Sequence, residues 1–108
     1  MKSETREESG ALIISFEGDI DLQSSPEARK ALLEAVGKGM AVLVDLSAVD
    51  YIDSSGVASL VESFQKAKTE HHKFILVSVS DSARRVLELA RLDKVFTICG
   101  SISDALEA

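Results

Sequence analysis

Two stretches of the chain leave little choice of fold. "MAVLVDL" (Met40–Leu46) and "KFILVSV" (Lys73–Val79) are apolar almost without interruption and of strand length. A strand with one wet face alternates apolar and polar residues. A strand without that alternation has to be covered on both faces, as in the middle of a largely parallel sheet. Parallel neighbours need helical crossovers, and a helix-patterned segment follows each run. "ALIISFE" (Ala11–Glu17) reads as a further strand and "KVFTI" as a short one. The polar stretch Lys2–Glu7 is expected to pair with the former across the turn at Ser9-Gly10, as a weak edge strand. A chain of 108 residues supports one hydrophobic core and is too short for two. The expectation is therefore α/β: a single domain over residues 1–108, with a mixed sheet of four to five strands and about four α-helices.

The helices carry their own signals. In "SSPEARKALLEAVGKG", Pro26 suits the first helical position and Ser24 with Glu27 has capping-box spacing. Ala28, Ala31, Leu32, Ala35 and Val36 share one face, and Gly37 and Gly39 end the segment. The next helix turns Val57, Leu60, Val61 and Phe64 inward and Glu62, Gln65, Lys66 and Lys68 outward. "DSARRVLELARL" turns Ala83, Val86, Leu87 and Ala90 inward. "SISDALEA" is a short final helix, with capping-box spacing from Ser101 to Asp104.

Charge narrows the function. Twelve basic against eighteen acidic residues give a net charge of −6, which argues against nucleic acid and anionic membrane surfaces. No apolar run approaches a membrane span, and the polar stretch Met1–Ser9 lacks the core of a secretory signal. The one cysteine, Cys99, can form no internal disulfide, which fits a reducing cytoplasm, and its place after an apolar run suggests packing.

In open α/β sheets, sites collect beyond the carboxyl ends of the strands. Asp45, Asp50, Asp53, Ser54 and Ser55 are expected on the loop after "MAVLVDL", and "DSSG" opens the next helix. The chemistry on offer is narrow: hydroxyls, carboxylates and helix-start N–H groups. A serine nucleophile would need a base, yet the only histidines, His71 and His72, fall after the far end of that helix. Asp45, Asp50 and Asp53 could offer oxygens to a hard cation, but their spacing matches no calcium loop. A phosphate cradle would need more glycine than Gly56. Two readings stay open: Asp53 or Ser54 caps the helix and does nothing more, or a serine is a phosphate acceptor. A phosphoserine there would be stabilised by the exposed N–H groups of the helix start.

Three stretches carry a resemblance. "VLVDLSAVDYIDSSGVASLV" is similar to the signature of the STAS domains of bacterial anti-sigma factor antagonists: apolar strand, Asp-Leu-Ser, an apolar or aromatic pair, Asp-Ser-Ser/Ala-Gly, apolar helix. "FEGDIDLQSSPEARKAL" resembles the acidic turn and first helix of that family, and "ARRVLELARLDKVFTI" its third helix and the strand after it. Together they span nearly the whole chain, in order.

The resemblance implies partner switching by a protein that is itself no enzyme. The unphosphorylated antagonist binds an anti-sigma factor that doubles as a GHKL-type serine kinase. The kinase phosphorylates the serine after the motif aspartate, and a PP2C-type phosphatase reverses the change. By position the acceptor is Ser54; Asp21, Asp53, Ser55 and Gly56 fall on the partner surface, and Gly56 is expected to leave room for the partner's backbone. ATP and magnesium would belong to the kinase, so the chain needs no catalytic residue, metal or cofactor of its own. It would act in the cytoplasm. The alternative that the resemblance implies is a STAS subunit docked on the ATPase of a lipid ABC transporter. A receiver-type phosphoacceptor fits less well, since only Lys94 has even a loose counterpart. Two positions depart from the family pattern: "SDSA" stands where a proline often opens the third helix, and Arg91 where glycine is common.

Overall fold

The computed structural model describes residues 1–108. β1 (Lys2–Glu8) and β2 (Ala11–Ile20) are followed by α1 (Ser25–Val36), β3 (Ala41–Ile52), α2 (Ser54–Thr69), β4 (Phe74–Val77), α3 (Asp81–Leu89), β5 (Thr97–Cys99) and α4 (Ile102–Glu107). The five strands form one sheet in chain order, β1-β2-β3-β4-β5. β1 runs antiparallel to β2, and every later pair is parallel. The expected edge strand is present. Its two-residue turn places Ser9 at φ 50° and Gly10 at φ 82°, the positive values of the tight hairpin that matches strand twist.

Right-handed crossovers between strands laid down in one direction put their helices on one face of the sheet. Val42, Val44 and Leu46 of β3 accordingly join Ala28 and Leu32 of α1, Leu60 of α2 and Leu87 of α3 in the larger core. Leu43, pointing the other way, joins Ile13, Ile75, Val77 and Ala105 of α4 in a smaller one. With helices on both sides, alternate residues of β3 and β4 are both buried, which accounts for the unbroken apolar runs. No helix is long and apolar enough to cross a membrane.

Four local expectations need correction. β3 does not stop at Leu46; it pairs with β2 as far as Ile20↔Ile52, with register shifts after Ser15 and Gly18. Asp45 and Asp50 therefore lie on a strand, and only Asp53–Ser55 occupy its end. Ser24 and Glu27 form no capping box: the Ser24 hydroxyl turns back to accept from the Asp21 N–H at 2.9 Å. The short last strand begins at Thr97, while Phe96 just before it is buried against Phe64, ring centroids 5.1 Å apart. Ser101 does cap α4, accepting from the Asp104 N–H at 3.1 Å. Ala90, expected to face inward, is the exposed C-cap of α3.

Both histidines have a structural place. His71 follows the cap of α2 at φ 62°, and the N–H groups of His71 and His72 donate to the Lys68 and Ala67 carbonyls at 3.1 and 2.8 Å. That is the paired closure of a helix with a left-handed residue just past its end. The α3 terminus repeats it: Arg91, at φ 60°, donates to the Glu88 carbonyl and Leu92 to that of Leu87, at 3.0 and 2.8 Å.

Candidate functional site

The carboxyl ends of β2 and β3 meet at Asp53, the N-cap of α2. Its backbone is extended, and Oδ1 accepts from the N–H groups of Ser55 and Gly56 at 3.0 and 3.2 Å. The Ser55 hydroxyl donates to the same oxygen at 2.5 Å. Oδ2 faces the other way and accepts from the Leu22 N–H at 3.1 Å, while the Asp53 N–H donates to the Ile20 carbonyl at 3.2 Å. One half-buried carboxylate thus caps a helix and fastens it to the loop after β2. The Ser55 hydroxyl foremost, then the Gly56, Ser55 and Leu22 N–H groups, hold the Asp53 carboxyl below the usual aspartate range.

Asp21 organises that second loop. Its Oδ1 accepts from the N–H groups of Gln23 and Ser24 at 3.1 and 3.0 Å and from the Ser24 hydroxyl at 3.1 Å. These bonds, the Ser24 N–H first, lower its carboxyl too, and the neighbouring Asp53 charge works against them. Two turns built on aspartate side chains are therefore joined by the Leu22–Asp53 bond. A third tie comes from Ser80, the N-cap of α3, whose hydroxyl donates to the Val49 carbonyl at 2.8 Å and accepts from the Ala83 N–H at 3.2 Å.

The expected site residues separate by exposure. Ser54, first residue of α2, is exposed; Ser55 is half-buried and its hydroxyl is engaged by Asp53. Gly56 is buried, and the expectation of room for a partner's backbone there needs correcting. A Cβ on Gly56 would lie 2.7 Å from Ile52 Cγ1, 2.8 Å from Ile20 Cγ2 and 2.9 Å from the Ile20 carbonyl oxygen. The glycine lets the first turn of α2 lie against the ends of β2 and β3. The helix-start N–H groups expected to hold a phosphate are also less open than they looked, because those of Ser55 and Gly56 are already on Asp53.

The other carboxylates do not converge on Asp53. Asp45 accepts from the Ser47 N–H at 2.9 Å and the Ser15 hydroxyl at 3.4 Å. Asp50 lines a shallow cavity with Asp19, Asp21 and Glu27. No group of three or more His, Cys, Asp or Glu side chains is placed to hold a metal ion. Spacing gave no sign of Leu22 or Tyr51, both exposed at this end of the sheet. The one available cue for Leu22 was a lone large apolar residue inside the polar turn "DLQSS".

A sheet of this order, with a capped Asp-Ser-Ser-Gly turn at the end of its long middle strand, defines a class, and comparison with known proteins agrees. The family model of the STAS domain matches residues 2–105, and the chain belongs to that family. The anti-sigma-F factor antagonist RsfB of Mycobacterium tuberculosis is 33% identical over 98 residues, covering 90% of this chain and 80% of its own. An anti-sigma-B factor antagonist of Listeria monocytogenes is 29% identical over 82 residues, covering 75% and 72%. The crystal structure of an anti-sigma factor antagonist from Mycobacterium paratuberculosis superposes with a TM-score of 0.90 at 29% identity, over 98% of this chain and 91% of that one.

Proposed function

We propose that the chain is an anti-sigma factor antagonist: unphosphorylated, it binds an anti-sigma factor that is also a GHKL-type serine kinase, and phosphorylation of Ser54 switches it off. The observation that carries this reading is the pair of serines after Asp53. Both sit in the family motif, but only Ser54 is exposed, whereas the Ser55 hydroxyl is engaged by the cap. The relatives named anti-sigma factor antagonists support the same reading. ATP, magnesium and the catalytic base would come from the kinase, and a PP2C-type phosphatase would regenerate the free hydroxyl. The chain is then a substrate and a binding module.

The geometry supports a particular way for the switch to act. A phosphoserine at residue 54 carries roughly −1.5 to −2 charges and seeks N–H donors. The nearest helix-start donors are on Asp53 Oδ1, so the phosphate competes with a carboxylate that also holds Leu22. The helix keeps a cap whichever anion wins. The partner meets a dianion that has to be desolvated on contact, beside a carboxylate whose hold on the helix start is contested. Losing about 3 kcal/mol at that contact weakens binding more than a hundredfold.

The test uses the Ser54→Ala chain as bait in its native cell, followed by purification of the retained kinase. Incubating the unmodified chain with that kinase and ATP should place one phosphate on Ser54 by mass spectrometry, and the modified chain should no longer bind. Phosphate on Ser55, labelling of Ser54→Ala, or recovery of a transporter ATPase in place of a kinase refutes the reading.

A further inference from the structure

We propose that Leu22 and Tyr51 are the apolar anchors with which the chain seats on its anti-sigma factor, in an apolar pocket of that partner rimmed by arginine or lysine. This rests on the antagonist reading above and adds to it the contact that holds the unphosphorylated pair together. Leu22 and Tyr51 are 75% and 51% exposed. Both stand beside the acceptor turn: the Leu22 N–H is bonded to Asp53, and Tyr51 lies two residues before it, paired in register with Asp19. Single exposed apolar residues are ordinary on a protein surface. These two differ in how firmly they are presented.

The backbone of Leu22 is held on both sides, by its own bond to Asp53 and by the turn that the Asp21 carboxylate closes through Gln23 and Ser24. Tyr51 projects from β3 with the buried Ile52 behind it. Side chains on a pre-ordered backbone lose little further freedom on binding, and aromatic residues are enriched among those that dominate interfaces. The surroundings specify the partner's charge. Asp19, Asp21, Glu27 and Asp50 line a shallow cavity of about 440 Å³, four carboxylates against the single Met1 amino group, and the Asp53 charge acts on Asp21 there. The other exposed apolar pair, Leu89 and Val95, stands among Glu88, Arg91, Asp93 and Lys94, whose charges balance and draw no basic rim. The acidic ring therefore favours a basic-rimmed pocket at the Leu22–Tyr51 end. Phosphate on Ser54 opposes the complex from within the contact, because the anion has to be desolvated there, while the ring continues to attract.

The probe is the purified kinase retained by the Ser54→Ala chain, titrated by calorimetry with the unmodified chain and with Leu22→Ala, Tyr51→Ala and Leu89→Ala. Leu22→Ala and Tyr51→Ala should each weaken the complex roughly tenfold or more, as truncated anchors do. Leu89→Ala should stay within about twofold, and added salt should weaken the unmodified complex. Thermal melts of each variant establish folding first. Unchanged affinity for either anchor variant, a loss as large for Leu89→Ala, or binding that strengthens with salt overturns the surface while leaving the antagonist reading intact. Failure of the unmodified chain to bind any such kinase removes both. Loss of self-association in the anchor variants, with kinase affinity unchanged, assigns the patch to a second copy of the chain and overturns the proposal as well.

Discussion

Replacing Gly56 by alanine sets two effects against each other. Inside a helix the change is ordinarily favourable by about 1 kcal/mol, because alanine restricts the unfolded chain and glycine does not. No positive φ stands in the way, since Gly56 lies within α2 and is not among the left-handed residues. The opposing effect is contact. Carbon atoms sit comfortably at about 3.5–4.0 Å, whereas the new Cβ would meet Ile52 Cγ1 at 2.7 Å and Ile20 Cγ2 at 2.8 Å. Both isoleucines are fully buried in the larger core and have nowhere to swing. The third contact, at 2.9 Å, is the Ile20 carbonyl oxygen, which also accepts from the Asp53 N–H and cannot retreat without loosening the cap. Overpacking of this kind costs about 3 kcal/mol at the upper end of its usual range, leaving a net loss of about 2 kcal/mol. For 108 residues the unfolding entropy is about 0.2 kcal/mol per kelvin, so the melting temperature should fall by about 9 °C. Thermal unfolding followed by circular dichroism at neutral pH measures this directly. A Gly56→Ala chain that melts at or above the unmodified temperature would show that α2 slides off β2 at little cost, and that close approach is not why glycine stands there.

Arg91 occupies a position past α3 where its φ of 60° is unfavourable for any residue with a Cβ. Its side chain is exposed, so Arg91→Gly should stabilise by about 0.5–1 kcal/mol and raise the melting temperature by a few degrees; a lower one contradicts the strain. Asp21 and Asp53 both have lowered carboxyl pKa values, so their stabilisation is complete above the ordinary aspartate value of about 4 and fades as pH falls through the lower folded values. Asp53→Asn should therefore show a shallower loss of melting temperature below about pH 4, and acid limbs parallel to those of the unmodified chain would exclude this role. Ser54→Asp, with one carboxylate in place of a phosphate, should bind the kinase with an affinity between those of the unmodified and phosphorylated chains, with its circular dichroism unchanged; a large loss of helix would point to an order–disorder switch.

Much of this was written in local pattern. Unbroken apolar runs announced β3 and β4 as strands covered on both faces, a helical period announced the packed faces of α1 and α2, and a polar stretch ending in Ser9-Gly10 announced the edge hairpin. The Asp-Ser-Ser-Gly turn was readable as the start of α2 because an acid before two hydroxyls and a glycine suits unpaired N–H groups. What local pattern does not carry is contact between residues distant in the chain. Leu22 and Asp53 are 31 residues apart, and only the parallel pairing of β2 with β3 brings their bond into being. The same pairing draws β3 out to Ile52, turning Asp45 and Asp50 from loop into strand. It also places Ile20 and Ile52 against Gly56, a residue whose missing Cβ suggests room for a partner's backbone. Short-range periodicity determined which segments are helix and strand. The sheet's register decided which carboxylate holds which loop, because a strand's neighbours are set by pairing across the fold and not by order along the chain.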